Sequence, residues 1–294
     1  MSRLYDTLRR MEGEKRKSGT ATPELNKPLE LQNNILGQSV EKADGPRANI
    51  KLGKTSRLVA LTDPKGLGAE KFRALVARLE NLRQKGELKS LQITSAVIDE
   101  GKSLVAANLA VTLVKHFGYK VLLLEGDLHR PTLTTLLGLT NLEGINQWWR
   151  KREEDTEIAR YICKLDDIPL WFLSAGSACD QSSQILQSAR FAETFTRLVG
   201  GFDWVVVDST PMSPIVDANL WSRLVDGTLL VVREGVAPIK ALKMGVKGLD
   251  NPKWIGMVLN EASEFDRVNY SDQYYGVKKK ENQPAREKNT KAVP

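Results

Sequence analysis

The chain has 294 residues, a net charge of +7 and two cysteines, a length that can bury one α/β core with flanking segments. Cys163 and Cys179 provide neither a disulfide framework nor zinc-ligand spacing, which favours a reducing compartment. No apolar run reaches membrane-spanning length and no signal-peptide core begins the chain, so we expect a cytoplasmic protein.

The positive charge is concentrated at the two ends of the chain. Residues 1–20 carry a net charge of +3 and residues 276–294 carry +4, so the part between them is neutral. Basic ends can contact anionic lipid or nucleic acid, and they fit solvated tails equally well. The run Lys278–Lys280 is more typical of a solvated tail, so we expect no nucleic-acid partner.

The first predicted element is a basic amphipathic helix within residues 1–20. Its narrow apolar stripe consists of Leu4, Tyr5, Leu8 and Met11. A stripe of this size binds a membrane weakly by itself, so docking to a partner or to another copy is an equal alternative. Residues 21–56 are rich in Gly, Pro, Asn and charge and are predicted to be a flexible linker.

Residues 57–263 alternate helical and strand patterns. A helix is predicted over residues 69–85 from apolar side chains at helical spacing. Strands are predicted at Leu91–Ser95, Lys120–Leu124, Pro169–Leu173, Trp204–Asp208, Thr228–Val232 and Trp254–Leu259. Such near-continuous apolar runs are typical of a parallel sheet covered on both faces. We therefore predict an α/β fold with three layers around a mainly parallel sheet, followed by a disordered tail over 264–294.

A phosphate-binding pattern lies between a predicted strand and a predicted helix over 104–117. Residues 96–103 read Ala-Val-Ile-Asp-Glu-Gly-Lys-Ser, which fits a relaxed P-loop. A strand, a turn of backbone N–H groups and a helix N-terminus together cradle phosphate. The Lys102 ammonium would reach the β- and γ-phosphates and the Ser103 hydroxyl would bind Mg²⁺. The predicted nucleotide-binding residues are Asp99, Glu100, Gly101, Lys102, Ser103 and Leu104.

Two further motifs place carboxylates directly after buried strands. Glu125 and Asp127 follow the apolar run 121–124, and Asp208 ends the run 204–207 in a Walker B pattern. Ligands of open α/β sheets bind outside the carboxyl ends of the strands. Asp208 would hold Mg²⁺ through water. Each motif alone is a weak signal, but the three in this order predict a P-loop NTPase fold that binds ATP and Mg²⁺.

Together the motifs resemble the cytoplasmic domain of the bacterial tyrosine kinases (BY-kinases) associated with capsule and exopolysaccharide assembly, which are related to MinD and ParA. The matching residues are Thr94, Ser95, Glu100, Gly101, Lys102, Ser103, Asp127, Arg130, Pro131, Asp208, Ser209 and Pro211. The resemblance covers residues 57–263 and the N-terminal helix. It implies a protein-tyrosine kinase that autophosphorylates with ATP and regulates polysaccharide synthesis or export.

The resemblance also implies a role for each site residue. Lys102 would bind the phosphates of ATP. Asp127, together with Glu125, would orient the metal and activate the tyrosine hydroxyl, and Asp208 would complete the metal site. The implied metal ligands are Ser103, Asp127 and Asp208.

Further implications concern the tail and the partners. The phosphate acceptors would be Tyr270, Tyr274 and Tyr275, carried by the tail of one protomer into its neighbour's active site. This implies a homo-oligomer, and a membrane adaptor or polysaccharide co-polymerase that holds the protein at the inner face of the membrane. Glu70 and Arg73 match the family's oligomerising helix, where Val76 replaces a second arginine.

The P-loop departs from the family pattern at Ile98 and Asp99, which replace Pro-Gly. Glycine tolerates positive φ and close approach of phosphate, whereas the Asp99 carboxylate would repel a polyphosphate by roughly 1 to 4 kcal/mol. Two alternatives follow: a degenerate paralogue acting as a regulatory scaffold, and a ParA/MinD-type positioning ATPase. Against the second, such ATPases carry a signature lysine where this chain has Val97.

Overall fold

The computed structural model describes residues 45–53, 56–86, 88–151, 157–212, 216–250 and 252–262. The predicted N-terminal helix, most of the predicted linker and the tail with Tyr270, Tyr274 and Tyr275 lie outside the described residues. Within the described ranges, none of the helices combines the length and the apolar character that crossing a membrane requires.

The described chain alternates strands and helices along most of its length. The strands are β1 (Arg47–Ala48), β2 (Ser90–Ser95), β3 (Val121–Glu125), β4 (Ile162–Leu165), β5 (Leu170–Leu173), β6 (Trp204–Asp208), β7 (Gly227–Arg233) and β8 (Trp254–Asn260). The α-helices are α1 (Val59–Thr62), α2 (Leu67–Arg83), α3 (Lys102–Phe117), α4 (Leu133–Leu136), α5 (Ile145–Arg150), α6 (Ser182–Gln187), α7 (Ala189–Gly201), α8 (Asp217–Leu224) and α9 (Ile239–Gly248). A 3₁₀ helix spans Ile158–Tyr161.

All the strands lie in one sheet with the order β1-β4-β5-β3-β6-β2-β7-β8. Every neighbouring pair is parallel except β4 and β5, which are antiparallel. Each of the six predicted strands is present, with ends that differ from the prediction by no more than one residue. The prediction of a mainly parallel sheet is confirmed.

Side chains alternate between the two faces of the sheet and so build two hydrophobic layers. Leu91 and Ile93 of β2 lie in the cluster that includes α2 and α3. On the adjacent strand β6, Val205 and Val207 lie in the opposite cluster, which includes the aromatic side chains of α7 and α8. A third cluster packs α9 against the same face near β7. These clusters establish the predicted three-layer architecture.

Residues 45–53 depart from the predicted linker over 21–56. Strand β1 pairs in parallel with Lys164 and Leu165 of β4. The Ile50 N–H donates to the Asp167 carboxylate at 2.8 Å, and the Lys51 N–H donates to the Leu137 carbonyl at 3.1 Å. The composition of residues 21–56 did not predict strand β1, because a two-residue strand can pair through its backbone without an apolar run.

The strand order brings the three predicted motifs to one edge of the sheet. Strand β6 lies between β2 and β3, and all three are parallel. In the register of the sheet, Asp208 is paired with Ile93 on one side and Glu125 on the other. The P-loop after β2, the acidic loop after β3 and the end of β6 therefore meet at the carboxyl edge.

Candidate functional site

Gly101 is the residue on which the path of the P-loop depends. Its φ of 88° is left-handed, and it immediately precedes the first residue of α3. A Cβ atom at this position would lie 2.2 Å from Nδ2 of Asn260, which donates to the Glu100 carbonyl at 2.9 Å. Only glycine combines this backbone conformation with this close contact. The chain therefore enters α3 as a phosphate-binding loop would, with the first-turn N–H groups lacking acceptors within the helix.

The buried Glu100 side chain stabilises the P-loop through hydrogen bonds to backbone N–H groups. It is fully buried, and its carboxylate accepts hydrogen bonds from the Val97 N–H at 2.9 Å and the Arg233 N–H at 3.3 Å. A carboxylate held in this way fixes the loop against the end of β7. Because its side chain is already engaged, only the backbone of Glu100 remains for the predicted nucleotide contact.

Asp99 takes the conformation for which glycine is best suited. Its φ is 62°, and it is exposed at the tip of the loop beside Ile98. The Arg233 guanidinium donates to the Asp99 carbonyl at 3.4 Å and also pairs with Glu261. Aspartate reaches this region more readily than most residues. The substitution thus preserves the backbone of the loop and adds a negative charge at its tip.

The Lys102 ammonium lies between two aspartates from different strands. Its Nζ atom is 3.3 Å from Oδ2 of Asp127 and 3.7 Å from Oδ1 of Asp208. It also lies 3.4 Å from the Ser103 hydroxyl. The structure therefore brings the P-loop lysine, the acidic loop after β3 and the Walker B aspartate into direct contact.

Burial governs the electrostatics of this cluster. Burial raises the pKa of Asp208 to about 6, although the nearby Lys102 ammonium acts in the opposite direction. Burial also tends to lower the pKa of Lys102, but Asp208 and Asp127 outweigh it and raise the pKa above its usual value. At neutral pH the lysine is charged, and it is the cation that compensates the buried carboxylates.

A hydrogen bond within the loop after β3 orients the Asp127 side chain towards Lys102. It is 4% exposed, and its Oδ1 atom accepts a hydrogen bond from the Arg130 N–H at 3.0 Å. That bond closes a short turn and leaves Oδ2 facing Lys102. The carboxylate is therefore held in a fixed orientation, with one oxygen available to a metal ion or to a hydroxyl proton.

The Glu125 carboxylate, which was predicted to orient the metal together with Asp127, accepts four hydrogen bonds from the protein. This buried carboxylate accepts hydrogen bonds from the N–H and hydroxyl of Thr134, at 3.0 and 2.7 Å. The Ser174 hydroxyl and the Ala175 N–H donate to the same carboxylate, each at 3.2 Å. In this arrangement Glu125 ties β3 to α4 and to the end of β5, although it lies beside Asp208 in the sheet register.

The remaining predicted residues lie at the start of α3. The Ser103 hydroxyl is 2.9 Å from the Thr132 hydroxyl, so the predicted metal ligand faces the loop after Asp127. The half-buried Leu104 side chain packs against the hydrophobic core, which leaves only its backbone for a nucleotide. Both positions agree with a helix N-terminus that binds phosphate.

The residues present fit a Mg²⁺–nucleotide complex better than a bare metal ion. Among the described residues, no group of three or more His, Cys, Asp and Glu side chains is arranged to hold a metal. Both Asp208 oxygens are buried and accept no hydrogen bond from a described residue. Such orphaned oxygens suit a metal-bound water, and Mg²⁺ commonly relies on one or two carboxylates together with substrate phosphates.

Three residues at the site were not among the predicted site residues. Asn260 and Arg233 end the adjacent strands β8 and β7 and contact the P-loop backbone. Thr132 faces Ser103 from the acidic loop. A polar residue at the end of an apolar run was the available signal for the first two, and no sequence pattern indicated Thr132.

Comparison with known proteins gives relatives over most of the described chain. No protein-family model matches it. The tyrosine-protein kinase YwqD of Bacillus subtilis is 29% identical over 223 residues, covering 75% of this chain and 92% of that protein. The succinoglycan biosynthesis transport protein ExoP of Rhizobium meliloti is 31% identical over 233 residues, covering 74% of this chain and 28% of that protein.

Solved structures agree with these relatives. The kinase domain of the Escherichia coli tyrosine kinase ETK has a TM-score of 0.64 and 25% identity, over 71% of this chain and 82% of that domain. The septum site-determining protein MinD of Pyrococcus horikoshii, complexed with Mg-ADP, has a TM-score of 0.50 and 19% identity. The comparison covers 63% of this chain and 76% of MinD, and it concerns the fold alone.

Proposed function

Because this chain is a homologue of the bacterial tyrosine-protein kinases, we propose that it is an ATP-dependent protein-tyrosine autokinase that regulates exopolysaccharide or capsule synthesis or export. The observation that carries the proposal is the contact of Lys102 with both Asp127 and Asp208 at the carboxyl edge of the sheet. A phosphate bound on the α3 N-terminus would meet this cluster directly.

Catalysis would depend on positioning and charge rather than on a covalent intermediate. The Lys102 ammonium balances the charge of the phosphates, and the N-terminus of α3 binds them. Mg²⁺, when bound, would neutralise phosphate charge, with Ser103, Asp127 and Asp208 holding it directly or through water. In this proposal the Asp127 Oδ2 atom, which lies 3.3 Å from the Lys102 ammonium, orients the acceptor hydroxyl and accepts its proton. Glu125 supports this arrangement by fixing the ends of β3 and β5.

The phosphate acceptors in this proposal are Tyr270, Tyr274 and Tyr275. We expect a variant with phenylalanine at all three positions to lose most of its phosphotyrosine while keeping its affinity for Mg–ATP. The test mixes that variant, which retains the active site, with Lys102→Met, which retains the tail. Phosphate on the tail of Lys102→Met, read by peptide mass spectrometry, is the expected result of transfer between protomers. An unphosphorylated tail in the mixture, beside a phosphorylated wild-type tail, would contradict transfer between protomers.

The partners in this proposal are further copies of the chain and a membrane adaptor or polysaccharide co-polymerase, which would place the kinase in the cytoplasm beside the membrane. On α2, Arg73 pairs with Glu70 and also donates to the Pro64 carbonyl at 2.8 Å. Val76 is fully buried, so an arginine at that position would have to leave the core. An oligomer built on α2 would therefore use fewer charged contacts than the family pattern has.

A regulatory scaffold that binds nucleotide poorly is the second candidate, and the charge of Asp99 is the observation that favours it. We expect Asp99→Gly to tighten Mg–ATP binding about fivefold to tenfold, because a partly screened like-charge contact of a few ångströms costs about 1 kcal/mol. Isothermal titration calorimetry measures the change. Tighter binding accompanied by the first appearance of phosphotyrosine would favour the scaffold for the natural sequence.

Asp99→Asn is the matched control for that prediction. Asparagine also tolerates positive φ, so this variant removes the charge and keeps the backbone preference. Equal gains in Asn and Gly variants would assign the effect to charge, and a gain in Gly alone would assign it to the backbone. Unchanged affinity in both variants would contradict electrostatic repulsion by Asp99.

A further inference from the structure

Helix α9 carries an exposed face that the nucleotide site does not use. Its solvent-exposed side chains are Ile239, Lys240, Lys243, Met244 and Lys247. Their helical spacing places the three lysines and Met244 on one side, with Ile239 at the margin. Ile239 is 65% exposed and Met244 is 62% exposed, so this face combines cations with two apolar side chains in water.

The charge of this face has one sign. Helix α9 contains neither Asp nor Glu. Among the described residues, no ion pair involves Lys240, Lys243 or Lys247, and Asp250 just beyond the helix is paired with Arg223. Helix α2, by contrast, includes an internal Glu–Arg ion pair. The three ammonium groups therefore remain available to an external anion.

The opposite side of α9 holds the helix firmly in place. Leu242 and Val246 are buried in the cluster with Leu230 of β7. Gly245 lies close to Met212, where an added Cβ would meet the Met212 side chain at 2.9 Å. The exposed face is thus presented on a packed element, so a flat surface would meet all three lysines without a conformational change.

The occupant of this face must be anionic, which excludes the chain's own ends. Residues 1–20 and 276–294 carry net positive charge and would be repelled. A nucleic acid would use the lysines but gain little from the exposed Ile239 and Met244. A bilayer with anionic headgroups uses both, because lysine stems and apolar side chains enter the interface while ammonium groups meet the headgroups.

We propose that the exposed face of α9 is a docking surface for anionic lipid bilayers. Each lysine near an anionic surface strengthens binding about fivefold, so three together contribute roughly a hundredfold. This contact places α9 between the bilayer and the face of the sheet on which the helix packs, and it does not depend on the proposed kinase activity. The attraction weakens as salt rises, because surface charges are screened.

The test is co-sedimentation of the full-length protein with vesicles of phosphatidylglycerol and phosphatidylcholine, or of phosphatidylcholine alone. We expect salt-sensitive binding to the first and little to the second. The variant Lys240→Glu/Lys243→Glu/Lys247→Glu should lose binding by a hundredfold or more. The matched control is Lys65→Glu/Lys71→Glu/Lys85→Glu, which makes the same charge change at exposed lysines around α2 and should bind far better.

A milder variant separates the apolar contribution. Ile239→Ser/Met244→Ser keeps the charge of the face and should weaken binding severalfold at every salt concentration. Circular dichroism and Mg–ATP affinity, unchanged in all variants, report an intact fold. Equal losses in the two lysine variants, or no binding of the wild-type protein to anionic vesicles, would overturn the proposal. The proposal would also be overturned if Lys240→Glu/Lys243→Glu/Lys247→Glu lost binding to duplex DNA while its binding to anionic vesicles stayed unchanged.

Discussion

Replacing Lys102 with methionine is expected to reduce tyrosine autophosphorylation by at least about 100- to 1,000-fold, the usual effect of removing one preorganised charge from an active site. Methionine keeps most of the length of the side chain and removes the ammonium that lies beside Asp127 and Asp208. Mg–ATP binding should weaken in the same variant, because the phosphates lose their cation. Calorimetry and phosphotyrosine detection provide the two readouts.

The same substitution should also destabilise the fold, since the buried carboxylates lose their compensating charge. A loss of about 3 kcal/mol in the free energy of unfolding is typical when one member of a buried pair is removed. The double variant Lys102→Met/Asp208→Asn serves as the control, because it removes one of the stranded carboxylates. We expect it to regain stability and remain inactive. Recovery of activity along with stability would contradict a chemical role for Lys102.

Asp208→Asn alone is expected to move stability and activity in opposite directions. Burial raises the pKa of Asp208 to about 6 in the folded protein, against an ordinary value of 3.8. A raised folded pKa means that protonation favours the folded state, so stability falls as the pH rises from about 4 to about 6 and the full cost of the ionised carboxylate is present above pH 6. A net shift of this size, which already includes the opposing effect of Lys102, corresponds to about 3 kcal/mol.

The difference in stability between Asp208→Asn and the wild type should depend on pH. Near pH 8 the Asn variant should be more stable than the wild type by about 1 to 3 kcal/mol. The difference should shrink as the pH falls through 6 and disappear near 4, where the wild-type carboxyl is already protonated. Denaturant unfolding at several pH values measures it. Autophosphorylation should fall about 100-fold or more, as the metal site loses a carboxylate.

Glu125→Gln provides the contrasting control. The Glu125 carboxylate accepts hydrogen bonds from four groups, whereas the Asp208 oxygens accept none from the described residues. A glutamine amide would place a donor against these donors and should destabilise the fold by about 1 to 3 kcal/mol. We assign Asp208 as a carboxylate that lowers folding stability and serves metal binding. If Asp208→Asn destabilised the fold as much as Glu125→Gln does, that assignment would be contradicted.

Much of the fold could be predicted because its central strands are buried on both sides. The runs that became β3 and β6 are almost entirely apolar, whereas β2 alternates Leu91 and Ile93 with buried polar residues. Each of the three strands precedes a recognisable motif. The two strands that were missed, β1 and β4, lie towards the sheet edge and are only 2 and 4 residues long. Strand β1 pairs with β4 from a distant part of the sequence, which local composition does not encode. Strand β4 pairs with its sequence neighbour β5, and its four residues are too few for their apolar pattern to stand out.

The proximity of the predicted site residues could be inferred from the sequence, whereas the hydrogen bonding of each carboxylate could not. Spacing after the strands indicated that Lys102, Asp127 and Asp208 would meet, and the structure places them in contact. It could not distinguish Glu125, whose carboxylate is engaged by four donors, from Asp208, whose oxygens are free of hydrogen bonds from described residues. That difference arises from the loop after β5 and from α4, which approach Glu125 only in the folded chain.

Transfer of phosphate from ATP to tyrosine at this P-loop site is measured most directly by phosphopeptide mass spectrometry. The purified full chain is incubated with Mg–ATP beside Lys102→Met treated identically. We expect phosphate on Tyr270, Tyr274 or Tyr275 in the wild-type protein and none in the variant. Equal phosphorylation of both proteins, or wild-type protein that binds Mg–ATP yet acquires no phosphotyrosine, would contradict it.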